Sequence, residues 1–147
     1  MVRLGLCCIF REAPIRFRRT TATAMAKLPR VEQYRRLADI CVHNANSLMA
    51  ALAYCRQAHI GAFRINSQIL PLITHPKIGY SLKDLPNHAT IIERLRECGA
   101  LARKNDIRTS FHPDQFVVIG SPTDEVRQKS IQELTYQAMV AEWVNAD

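Results

Sequence analysis

Two His-Pro pairs mark this chain of 147 residues: "LITHP", with His75 before Pro76, and "TSFHP", with His112 before Pro113. Neutral imidazole is the commonest nitrogen ligand for Mn, Fe or Zn, so two histidines on one rim of a fold can form part of a metal site. Proline biases the residue before it toward extended backbone, which partly orients each ring. A rim histidine can equally serve as a structural hydrogen-bonder, and both roles stay open at this level. Gln115 and Phe116 follow His112 by three and four residues, in a stretch where Asp114 favours a turn. An amide beside an exposed aromatic can hydrogen-bond to and stack on an unstacked base. The alternative is that Phe116 opens the apolar run "FVVI" and packs beneath its own loop.

The elements that position these residues alternate along the chain. Val2 to Phe10, "VRLGLCCIF", reads as a buried strand, and the basic segment with Pro14 and Pro29 reads as an irregular loop. From Val31, Tyr34, Leu37, Ala38, Cys41, Ala45, Leu48, Leu52 and Ala53 recur at intervals of three and four, which predicts a long amphipathic helix to about His59, ended by Gly61. Ala62 to Ser67 is a second strand, followed by a Pro-rich loop. Ile92, Leu95, Cys98 and Ala102 mark a second helix ending near Asn105. Arg108 to Pro113 is a third strand, with Thr109 and Phe111 on one face and Ser110 and His112 on the other. Ser121 and Pro122 are expected to open a third helix as cap and first-turn residue, with Asp124 and Glu125 near its positive end and Val126, Leu134, Ala138 and Ala141 as its buried stripe.

Strand and helix in alternation are the grammar of a parallel α/β architecture. His75 then falls in the loop after the second strand and His112 at the end of the third, on the rim where such folds place their chemistry. Three βα units are few: an open doubly wound sheet ordinarily uses about five strands, and a (β/α)₈ barrel eight and roughly 250 residues. His43, His59 and His88 read as structural.

Composition narrows the partners. The formal net charge is +7 and is uneven: Arg11, Arg16, Arg18, Arg19, Lys27, Arg30, Arg35 and Arg36 are eight of the 20 Lys and Arg, against only Glu12 and Glu32 in that span. Such a segment suits a polyanionic partner, the alternative being a solvated basic stretch with none. Five cysteines without C-x-x-C spacing suggest neither a disulfide framework nor a zinc motif, and a reducing compartment fits. Cys41, Cys55 and Cys98 fall inside helical patterns as small buried hydrophobes. No run has the length of a membrane span, and the first apolar run lacks the features of a secretory leader.

"FRINSQILPLITHP" (Phe63 to Pro76) and "RTSFHPDQF" (Arg108 to Phe116), with "LGLCCIFRE" and "HNANSL" (His43 to Leu48), resemble the amino-terminal half of the UV damage endonucleases, the UvsE/UVDE family. The resemblance covers essentially the whole chain, residues 1–147. It implies a TIM barrel, here incomplete with about three βα units, and an enzyme that hydrolyses the phosphodiester 5′ of a UV photolesion in double-stranded DNA with divalent metals, Mn²⁺ favoured. By the same matching, His75 and His112 would be metal ligands and Gln115 and Phe116 the pair that probes the lesion; some relatives carry tyrosine where this chain has Phe116.

Two imidazoles without carboxylates hold Mn²⁺ weakly, and Asp84 and Asp114, the nearest acids on the rim, match no ligand position. The expectation is therefore a chain that does not incise efficiently alone, the barrel being completed by a missing carboxyl-terminal half or by a second polypeptide. The expected location is cytoplasmic, with use at the nucleoid, or nuclear in a eukaryote, and not secreted or membrane-bound. Two other readings stand beside it: a fragment of a metal-dependent barrel of the sugar isomerase or epimerase type, and a non-catalytic basic nucleic-acid-binding module.

Overall fold

A computed structural model describes residues 2–146. Its elements run β1 (Gly5–Cys7), α1 (Ala22–Ala26), α2 (Arg30–Gln57), β2 (Ala62–Ile65), a 3₁₀ turn (Leu82–Asp84), α3 (His88–Lys104), β3 (Arg108–Phe111) and α4 (Asp124–Val144). The strands form one parallel sheet in the order β1-β2-β3. Gly5, Ala62 and Arg108 share one register row, and Cys7, Arg64 and Ser110 another.

Side-chain alternation divides the sheet into two unlike faces. Phe63, Ile65 and Thr109 are buried on the face that packs against the helices, Phe63 and Ile65 in one core with Leu48, Leu52, Leu95 and Val140. The Cys7-Arg64-Ser110 row lies on the opposite face, where Cys7 and Arg64 are exposed. Each side chain fully buried in the core contributes about 2 kcal/mol through removal from water.

The long helix arises as its periodicity predicts: Leu37, Ala38, Cys41, Ala45, Leu48, Leu52 and Cys55 form its buried stripe. Its stop differs from expectation. Gly61 lies beyond the helix and already joins the sheet, its N–H donating to the Leu4 carbonyl at 3.1 Å. The chain turns instead at His59, held at φ 54°, with the Ile60 N–H reaching back to the Cys55 carbonyl at 2.8 Å. That pattern of a left-handed residue and a six-to-one hydrogen bond recurs after α3, where Asp106 has φ 52° and the Ile107 N–H bonds Ala102.

Other boundaries also moved. The first strand runs only over Gly5–Cys7, and Leu4 and Ile9 of the expected buried run stand exposed rather than in the core. The basic segment is not wholly irregular: Thr21 caps α1 by accepting from the Ala24 N–H at 3.2 Å, and Met25 is fully buried. The last helix begins at Asp124 rather than at Ser121 and Pro122, since the Ser121 hydroxyl accepts the Thr123 N–H in a turn ahead of it. Its buried positions are Ser130, Tyr136, Gln137, Val140 and Val144, while Ala138 of the expected stripe is exposed. Gly99 explains the close approach of α3 and α4: a Cβ there would lie 2.4 Å from the Val144 carbonyl oxygen.

Candidate functional site

The loops that follow β2 and β3 meet at one rim of the sheet, as a parallel topology requires. Between them and α4 lies a cavity of about 720 Å³, lined among others by Thr74 and His75 from the first loop, Gln115 and Phe116 from the second, and Lys129 and Glu133 from the helix.

The first loop is built around the His-Pro pair. The His75 N–H donates to the Leu72 carbonyl at 3.0 Å, and Leu72 itself sits at φ 62°, a conformation uncommon outside glycine. The ring closes the turn: His75 Nδ1 accepts the N–H groups of Lys77 at 3.2 Å and Ile78 at 3.1 Å. With its Nδ1 lone pair used in this way, the neutral ring carries its proton on Nε2. Gly79 completes the turn, its N–H donating to the His75 carbonyl at 2.7 Å, and a Cβ at Gly79 would come within 2.4 Å of that oxygen.

The second loop is held by a serine from the helix behind it. Ser130 Oγ accepts the Val118 N–H at 2.8 Å and donates to the Val126 carbonyl at 2.8 Å. Asp114 makes the expected turn, its carboxylate accepting the Phe116 N–H at 3.1 Å. The outcome is an exposed aromatic: Phe116 is 77% accessible, with Val118 and Ile119 at 44% and 58%. The "FVVI" run therefore does not pack beneath its loop.

The structure thus brings His75, Gln115 and Phe116 to one cavity, and places His112 outside that lining, exposed at the end of β3. The residues present do not fit a metal cluster by themselves. Among the described residues, no group of three or more His, Cys, Asp or Glu side chains is placed to hold an ion. His75 as placed offers no free lone pair, Asp114 serves its turn, and Asp84 accepts the Ser81 N–H at 2.9 Å in the 3₁₀ turn.

Several residues at this rim escaped the sequence reading. Thr74 donates to Glu133 at 2.9 Å, and Tyr136 Oη accepts the Leu70 N–H at 3.1 Å, so α4 supports the first loop from below. Polar residues on a helix look alike to periodicity whether they face solvent or a loop, and Lys129, Glu133 and Tyr136 gave no separate signal. Burial raises the Tyr136 hydroxyl well above the usual tyrosine range, which keeps it neutral in this role. Asn44 and Ser47 of "HNANSL" are buried polar residues with partners in the basic segment.

Comparison with known proteins matches this arrangement over nearly its full length. The chain is similar to the UV DNA damage endonuclease of Nostoc sp. (33% identity over 136 residues, 92% of this chain and 41% of the relative). It is also similar to that of Bacillus velezensis (29% over 129 residues, 88% of this chain and 38% of the relative). The crystal structure of SacUVDE superposes on 99% of the chain with a TM-score of 0.83 and 26% identity, the chain covering 47% of it. The three βα units accordingly form part of a TIM-barrel-type fold, and the chain spans less than half the length of these relatives. With the UV-endonuclease UvdE model matching residues 2–146, the chain belongs to that family.

Proposed function

We propose that the chain is the lesion-reading portion of a DNA repair endonuclease, one that recognises UV photolesions in duplex DNA and hydrolyses the phosphodiester 5′ of the lesion. The observation that carries this is the exposed Phe116 beside Gln115, on a loop pinned by Ser130, at the edge of the rim cavity. A rigid aromatic face can take the place of a base in a stack that the lesion has weakened, while the Gln115 amide can hydrogen-bond to a base edge. Phe116 offers the stacking face without a phenolic hydroxyl. Cavities of this size hold small ligands, and two nucleobases are within that range.

Divalent metals, Mn²⁺ foremost, belong to this proposal as cofactors of the complete centre. His112, which has no side-chain hydrogen bond among the described residues, is available as a ligand; His75 would first have to exchange its turn hydrogen bonds. The relatives are more than twice as long, and we assign the remaining ligands to polypeptide outside these three βα units. Incubating the 147-residue chain and Mn²⁺ with a duplex carrying one cyclobutane dimer tests the assignment. Preferential binding with little incision is expected, and equal binding to damaged and undamaged duplex would overturn it.

A further inference from the structure

The rim cavity has a further wall. Thr20, from the segment between β1 and α1, lines it together with Ser67 and Gln68, from the turn just after β2. Because β2 lies between β1 and β3 in the sheet, the loops that follow the outer strands flank the one that follows the middle strand. Thr20 therefore reaches the cavity from the β1 side, whereas Gln115 and Phe116 reach it from the β3 side.

This wall is held by a buried amide. Asn44, fully buried on α2, engages both backbone polar groups of Arg18: its Oδ1 accepts the Arg18 N–H at 2.7 Å and its Nδ2 donates to the Arg18 carbonyl at 3.0 Å. The same Nδ2 donates to the Ile69 carbonyl at 3.0 Å. Arg18 stands two residues before Thr20 and Ile69 one after Gln68, so a single side chain fixes the two segments against each other. Thr20 is bracketed from its other side by Thr21, the cap of α1, and by Met25 in the core. Gln68 is bracketed by Asn66, whose Oδ1 accepts the Gln68 N–H at 2.9 Å and whose carbonyl accepts the Ile69 N–H at 3.1 Å.

The backbone is thus ordered, while the side chains it carries are uncommitted. Thr20 and Ser67 are half-buried and Gln68 is exposed, and none of these side chains has a hydrogen bond among the described residues. The charged groups around the cavity are engaged instead: Glu133 with Thr74, Lys129 with Glu125 at 2.7 Å, and Asp114 and His75 in their own turns. A phosphate selects cations, whereas the edge of a nucleobase presents neutral donors and acceptors. Hydroxyl and amide groups both donate and accept, so they can meet the carbonyl oxygens or the ring N–H of a pyrimidine.

We propose that Thr20 and Gln68, with Ser67 beside them, form the wall that hydrogen-bonds to the edges of the lesion's bases while Phe116 supplies the stacking face. The inference rests on the lesion reading proposed above and adds the side chains that distinguish a damaged base from a missing one. Edge hydrogen bonds combined with stacking are how an unstacked base is read in a pocket. A wall already ordered loses little further freedom when the bases arrive.

The test compares the affinities of the full chain for a duplex with one cyclobutane dimer, a duplex with one abasic site and an undamaged duplex. Thr20→Val removes the hydroxyl and keeps the branched shape; it should weaken binding to the dimer duplex about threefold to tenfold. Its affinities for the abasic and undamaged duplexes should not change, because neither places a base edge against this wall. Thr20→Ser retains the hydroxyl and should keep the dimer affinity, and Gln68→Ala should act as Thr20→Val does. Equal losses on all three duplexes, or a dimer preference that Thr20→Val and Gln68→Ala leave intact, would overturn the wall and leave the lesion reading standing. No preference of the unaltered chain for the dimer duplex would overturn both.

Discussion

The Thr74 hydroxyl donates to Glu133 across 59 residues of sequence, at 2.9 Å, and so fastens the His75 loop to the helix behind the cavity. The other carboxylate oxygen of Glu133 accepts from Gln137 at 3.4 Å, which keeps the acid turned toward the loop. Losing a half-buried hydrogen bond to a charged acceptor costs about 1–2 kcal/mol. Glu133→Ala should therefore destabilise the chain by that amount and speed amide hydrogen exchange in the His75 turn. Unchanged exchange there would mean that the loop holds its shape without the helix.

Gly79→Ala addresses the turn itself. The added methyl would meet the His75 carbonyl oxygen, and no flexible side chain is there to yield. A loss of about 1–3 kcal/mol is expected, together with a shift of the His75 ring resonances in NMR. Gly99→Ala crowds the Val144 carbonyl instead, so it should cost a similar amount and leave those resonances in place.

His59 presents the opposite opportunity. It is exposed and adopts the left-handed conformation that ends α2, where glycine is the least strained residue. His59→Gly should raise stability by about 0.5–1 kcal/mol, read as a higher midpoint in urea. A lower midpoint would mean that the imidazole stabilises the fold by more than its backbone strain costs.

The buried thiols make a prediction about pH. Burial pushes Cys41 and Cys98 up to about 12 and Cys55 up to about 11. These values lie above those of the unfolded chain, so the contribution to stability is complete below the ordinary thiol range and is lost as pH rises from about 9 toward 12. Tyr80, raised by burial and by its neighbour Cys41, adds to the loss with the same sign. Urea midpoints should hold steady from pH 6 to 8 and fall above about 9. At neutral pH a thiol reagent should modify exposed Cys7 readily, and Cys41, Cys55 and Cys98 only on unfolding.

What could be read from the sequence follows the physics of each element. The stripe from Leu37 to Cys55 was legible because a helix buries one face at a fixed period, and the strands at Ala62 and Arg108 because short segments of alternating character follow each helix end. The end of α2 was not, since His59 takes a backbone conformation that composition assigns to Gly61. Short α1 offers too few residues for a period and depends on the burial of Met25. At the site, Gln115 and Phe116 stood out by type, but spacing could not say whether Phe116 packs beneath its loop, and only the folded loop shows it exposed. The role of His75 in its own turn was not legible, because two backbone N–H groups reach Nδ1 only after the loop folds. Nor did the link from Asn44 to Arg18 and Ile69, residues far apart in sequence, announce itself.

The central claim is that Gln115 and Phe116 read the lesion, and the ratio of affinities for undamaged and dimer-containing duplex tests it most directly. The unaltered chain should prefer the damaged duplex, and Gln115→Ala with Phe116→Ala should bring the ratio close to one while general duplex binding persists. Base-aromatic stacking is worth about 1–3 kcal/mol, so a preference of fivefold or more is at stake. A double variant that keeps the full preference would contradict the account.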